Sequence, residues 1–164
     1  MNLPIREANP YFHWVLAKTY YDGAMTGIGL HAPQGVVKFF CVVGWDEQHW
    51  QRIFTVTKLR TAIGDRLIHE LQKLEPRQLP FWCPGPQSST PDVESAWNAI
   101  HRAAMQTTAW QLVEGHDLLV DSGETATVSA TEGQAITDLV RSESLLVVTG
   151  SELLKDFLRQ IRGM

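Results

Sequence analysis

Residues 11–59, YFHWVLAKTYYDGAMTGIGLHAPQGVVKFFCVVGWDEQHWQRIFTVTKL, decide the architecture of this 164-residue chain. At their centre stands Tyr20-Tyr21-Asp22-Gly23. A β-rich run enters this motif and others leave it. Asp-Gly between apolar runs is a strong hairpin signal, because both central residues of a type I′ turn need positive φ. The reading therefore predicts a strand over 11–21, a two-residue Asp22-Gly23 turn and a return strand over 24–31. Gly27 and Gly29 weaken that second strand and point to a bulge or a close backbone approach.

Outward from the hairpin, Ala32-Pro33-Gln34-Gly35 carries turn residues at plausible positions. Residues 36–43 are nearly continuously apolar, Lys38 excepted, which predicts a central strand covered on both faces. Residues 44–49 read as a loop. Residues 50–59 return as a strand with Ile53, Thr55, Thr57 and Leu59 on one face and Phe54 and Val56 on the other. Four sequential strands with short connections make an antiparallel meander.

Beyond this point the period becomes helical. Ile63, Leu67, Ile68, Leu71 and Leu74 form an apolar stripe, and Pro76 ends it. Residues 76–91 hold most of the chain's eight prolines and read as an irregular connector with Phe81-Trp82 at its middle. A second helix follows, capped by Thr90 with Pro91 in its first turn and ended by Thr107-Thr108. Val93, Ala96, Trp97, Ile100 and Ala104 share one of its faces. Residues 109–121 suggest a hairpin around Glu114-Gly115-His116, or a helix continuing to Val113 with Gly115 as its stop.

The last third echoes itself at an offset of 18. Thr131-Glu132-Gly133-Gln134 and the apolar positions after it match Thr149-Gly150-Ser151-Glu152 and its successors. Each copy reads as a strand, a capping box and a short amphipathic helix. Leu145 to Val148 reads as a buried strand. The expected fold is thus α+β over 1–164, one domain. It comprises an N-terminal antiparallel β-meander packed by three or four helices and a C-terminal strand-helix, strand-helix segment.

The net charge of −4 carries no basic footprint for nucleic acid. No apolar run approaches the length of a membrane span, and residues 1–10 lack the apolar region of a signal peptide. The two cysteines, Cys41 and Cys83, give no disulfide framework, so the default location is a reducing cytoplasm. The six histidines show no metal-ligand spacing, and no cofactor motif is present, so the expectation is no metal and no cofactor. Thr149-Gly150-Ser151 could hold an anion at a helix start, but a capping box explains the same residues.

Two aromatic groups are the candidate binding residues. Phe81 and Trp82 in the proline-rich connector serve either as an exposed anchor or as a plug onto the core. Trp45 and Trp50 flank an acidic loop. Tyr20, Tyr21 and Asp22 complete the set. On one strand, Tyr20 and Tyr21 would face opposite sides, so only one could line a given site. The expected function is non-enzymatic protein binding, with an unknown protein partner. The alternative is a small enzyme with an acid/base pocket formed by Asp22, Tyr21, Glu47 and His49 at one end of the sheet. Homo-oligomerisation through an aromatic face is compatible with both.

Tyr20-Tyr21-Asp22-Gly23, Gly27, the apolar strand, Trp45-Asp46-Glu47 and Phe54-Thr55-Val56 together resemble a group of small uncharacterised bacterial proteins. These open with a Tyr-Asp-Gly-Pro-x-x-Gly pattern and an aromatic-rich strand. The resemblance covers about residues 18–59, and Ala24 stands where the pattern has proline. It implies a bacterial cytosolic protein of unknown role and assigns no role to any residue; an accessory or immunity-type protein fits the binding expectation above.

Overall fold

A computed structural model of the chain describes residues 10–21, 23–31, 33–46, 48, 50–74, 81–82, 90–118 and 121–164. Four strands open it: β1 (Phe12–Tyr20), β2 (Ala24–His31), β3 (Val36–Asp46) and β4 (Gln51–Lys58). Helix α1 (Thr61–Leu74), the short strand β5 (Phe81–Trp82) and helix α2 (Pro91–Ala104) follow. Strands β6 (Gln111–Asp117) and β7 (Asp121–Thr127) then precede α3 (Ala130–Arg141), β8 (Leu146–Val147) and α4 (Leu153–Arg162). The sheet order is β5-β1-β2-β3-β4-β6-β7, with β8 paired to β3. The expected α+β fold with its N-terminal meander is thus the observed one.

Alternation along the strands builds two cores. One face of the sheet carries Phe12, Val15, Ala17, Phe40, Val42, Phe54, Val56 and Val113. The opposite face carries Trp14, Leu16, Ile28, Phe39, Ile53 and Leu112, packed under the apolar stripes of the four helices. Faces alternate because successive side chains point to opposite sides of a strand. The sheet coils strongly. The carbonyl of Leu118, beyond β6, accepts from the backbone N–H groups of Tyr11 (2.8 Å) and Phe12 (2.9 Å) at the start of β1. The first face is therefore an inner, concave one. Strand β3 is buried on both sides, as its unbroken apolar run requires.

Gly27 and Gly29 allow close approach rather than a bulge of their own. A Cβ at Gly27 would run into the Leu16 carbonyl, and one at Gly29 would lie 2.6 Å from the Phe12 ring. Helix α2 starts as its sequence predicts, with Thr90 Oγ1 accepting from the Val93 N–H at 3.2 Å. It ends at Ala104, three residues before Thr107.

Several expectations are corrected. Strand β6 continues through Glu114-Gly115-His116, with irregular register to β7 there, and the next strand begins at Asp121. Cross-strand partners on β4, with Phe54 opposite Val113, hold this segment extended and override the turn propensity of glycine. Tyr20 pairs with Ala24, so three residues rather than two connect β1 to β2. Gly23 takes φ +129°, and Asp22 lies outside the described residues. Strand β3 extends to Asp46, which places Trp45 in a strand and not in a loop.

The two echoed units differ at their helix starts. Ser129, not Thr131, caps α3 in a full capping box with Glu132. Glu152 begins α4 without a side-chain cap, and its N–H donates to Asp156 Oδ2 at 3.1 Å. The 145–148 run is only partly buried, with Val148 inside and Leu145 and Val147 exposed. Leu74, at the end of the α1 stripe, is also exposed. Phe81-Trp82 is not irregular but pairs in parallel with Val15 and Leu16 of β1. The predicted stop at Pro76 falls outside the described residues.

Candidate functional site

Strand β4 pairs with β3 from Lys38 to Asp46, occupying one edge throughout. The other edge is shared. Strand β2 pairs with it from His31–Val36 to Thr26–Cys41 and then diverges. Strand β8 takes over at Gly44 and Trp45. The gap between β2 and β8 is a groove of about 340 Å³ on the helix side of the sheet. Phe39 and Cys41 form its floor, the β1–β2 hairpin one wall, and His101 of α2 with Val140, Glu143 and Leu145 the other. Tyr20 and Tyr21 both line it. The expectation that they diverge fails because β1 ends at Tyr20, which frees Tyr21 from strand alternation.

Above the groove the sheet ends in an apolar rim. Tyr21 is 77% exposed, Trp50 60%, Tyr20 54%, Val147 52% and Leu145 45%. Contacts link its members at two points, at Trp45 and at Arg52. Trp45 pairs with Val147 and meets Trp50 edge to face, with ring centroids 5.6 Å apart. The buried Arg52 ties both hairpins together. Its Nη2 donates to the Tyr21 carbonyl at 2.7 Å, and its guanidinium lies 5.8 Å from the centre of the Trp45 ring. Trp50 takes φ 55°, a conformation that few aromatic residues adopt. An imidazole nitrogen of His116 meets its carbonyl at 3.0 Å.

The groove's polar groups are not arranged for thiol chemistry. Burial pushes the Cys41 thiol up to about 11, against a weaker opposing effect of the Thr26 hydroxyl. A nucleophilic cysteine needs the reverse shift. Desolvation holds His101 below its ordinary value, and the nearby Lys18 adds to this. His101 is therefore a neutral imidazole at pH 7.

Glu143 marks the lip of the groove. It follows α3 in a Schellman arrangement, with the Ser144 N–H donating to the Leu139 carbonyl (3.0 Å) and the Glu143 N–H to that of Val140 (3.2 Å). This arrangement places Glu143 at φ 54°, where glycine is the usual residue. A glutamate held there at the edge of a concavity is a local cost borne at a candidate site.

Of the residues singled out in the sequence, Tyr20, Tyr21, Trp45 and Trp50 are thus brought to one end of the sheet. Asp22, Glu47 and His49 lie outside the described residues, as do the side chains of Phe81 and Trp82. Sequence reasoning missed Arg52, Glu143 and Leu145. Only Glu143 left a signal, standing two residues beyond the end of an amphipathic helix, where glycine is common. Among the described residues no cluster of His, Cys, Asp or Glu could hold a metal ion, and no helix is long and apolar enough to cross a membrane. No family model, curated protein or solved structure matches the chain.

Proposed function

We propose that this protein is a non-enzymatic binding module of the bacterial cytoplasm, an accessory or immunity-type protein that docks a partner protein on its aromatic rim. The observation that carries the reading is the gathering of five exposed large apolar side chains at one end of the sheet. Tyr20, Tyr21 and Leu145 line the groove of about 340 Å³, and Trp50 and Val147 flank Trp45 at the same end of the sheet. Contiguous apolar surface mostly marks interaction sites, and aromatic side chains lead among residues that dominate binding energy. Rigidity supports the same reading. Arg52 and the Trp45–Trp50 contact hold the rim in place before any partner arrives, which lowers the entropy cost of docking.

The test is affinity capture from a bacterial cytosol with the parent protein, Trp50→Ala and Tyr21→Ala. Lys73→Ala, an exposed change on α1, serves as control. The rim variants should lose a specific partner that the parent and control retain, with unchanged unfolding transitions. Equal recovery by all four proteins would exclude the rim as the docking surface.

A further inference from the structure

The opposite end of β3 holds a lysine that the rim does not explain. Lys38 lies about 23 Å from Trp45 along the strand, seven residues at about 3.3 Å each. It is only 5% exposed and belongs to the inner face of the sheet. Its Nζ donates to the Tyr11 hydroxyl at 2.8 Å. That hydroxyl spends its own proton on Gln111 Oε1 at 2.9 Å. An ammonium has three N–H donors, and the described residues accept one.

The surroundings are basic. Lys58 stands directly across from Lys38 on β4, on the same face of the sheet. His31 stacks on Tyr11 with ring centroids 4.4 Å apart. Lys38 and Lys58 repel, and no ion pair joins either to a carboxylate among the described residues. Like charges directly opposite on neighbouring strands are destabilising. The Lys38 ammonium meets the Tyr11 hydroxyl and, 5.2 Å away, the face of the same ring, and neither carries the full counter-charge that would offset its desolvation. Two lysines and a histidine gathered here, with no carboxylate paired to the lysines among the described residues, offer a place for an anion from outside.

We infer that Lys38 and Lys58, flanked by His31 and the Tyr11 hydroxyl, form a binding site for the oxyanion group of a small ligand, a phosphate or a carboxylate. The spare N–H donors of Lys38 address the ligand from inside the concave face, and Lys58 closes over it from the exposed side. Charge-assisted hydrogen bonds of this kind are among the strongest available to a protein. The site is remote from the aromatic rim and does not depend on it.

Thermal unfolding of the full chain tests the site. Sodium phosphate and sodium acetate would be compared with sodium chloride at equal ionic strength and pH 7. The parent and Lys73→Met should show an oxyanion-specific rise in Tm, and Lys38→Met and Lys58→Met should lose it. A rise with either anion that Lys38→Met and Lys58→Met lose supports the proposal, and which anion acts assigns the ligand's group; a rise equal in all four proteins is the general salting effect and counts against the site. The same Tm in all three salts, or an oxyanion response retained by Lys38→Met, would overturn it. The exposed Lys58→Met variant keeps the test decisive should Lys38→Met fold poorly. In that event, an undiminished response in Lys58→Met would count against the site.

Discussion

Replacing Thr137 by valine removes one oxygen atom from the junction between α3 and the segment that leads into β6. Thr137 and Trp110 are both about 2% exposed. The Trp110 indole N–H donates to Thr137 Oγ1 at 2.9 Å. The Thr137 hydroxyl in turn is 2.8 Å from the Thr107 carbonyl and 3.0 Å from that of Gly133, with one proton to share between them. Valine matches threonine in shape, so the packing persists while the indole N–H and the Thr107 carbonyl lose their partner. A buried polar group left unmet costs about 1–3 kcal/mol. We expect Thr137→Val to lose about 2–3 kcal/mol, which for a chain of this size is a fall in Tm of roughly 4–12 °C. Urea unfolding with linear extrapolation gives the loss directly. A double-mutant cycle with Trp110→Phe isolates the hydrogen bond, because the double variant removes donor and acceptor together. Its loss should fall short of the sum of the single losses by about 1 kcal/mol or more. Thr137→Val within about 0.5 kcal/mol of the parent, or strictly additive losses, would refute the reasoning.

Two further outcomes concern Glu143 at the groove and the histidines at the two ends of the sheet. Glu143→Gly should stabilise the protein by about 1 kcal/mol, because glycine occupies the left-handed position after α3 without a Cβ penalty; the check is the urea midpoint, with partner capture measured alongside it. Lowering the pH should also weaken the fold. His31 and His101 are held below their ordinary value of 6.5, mainly by desolvation, so the unfolded chain takes up their protons first. Stability is then full above about pH 7 and falls as the pH drops through 6.5 towards the folded values. His101→Gln should flatten part of that slope in unfolding measured between pH 7.5 and 5, and an unchanged slope would contradict the assignment.

Local rules made much of the fold legible. The two-residue period of β4, the unbroken apolar run of β3 and the Thr90-Pro91 start of α2 each report a constraint that neighbours in sequence satisfy. The errors arose where distant strands decide. Gly115 looks like a turn residue, but pairing with Arg52 keeps it extended. Trp45 looks like a loop residue, but pairing with Arg52 on one side and Val147 on the other extends β3 through it. The capping box of the second echo failed because Asp156, a turn further along, serves the Glu152 N–H instead.

The candidate sites divide in the same way. By itself the sequence determined the meander, the amphipathic helices and the aromatic character of the hairpin ends, since each is written in periodicity over a few residues. Only the tertiary structure decided that β2 and β8 share one edge of β3. That sharing opens the groove and gathers Tyr20, Tyr21, Trp45 and Trp50 at one end. The same coiling of the sheet brings Tyr11 onto Lys38 and buries a lysine that the sequence shows only as an interruption in an apolar run. Such juxtapositions join residues 27 to 100 positions apart, and the burial and charge that give them meaning exist only after the chain has closed on itself.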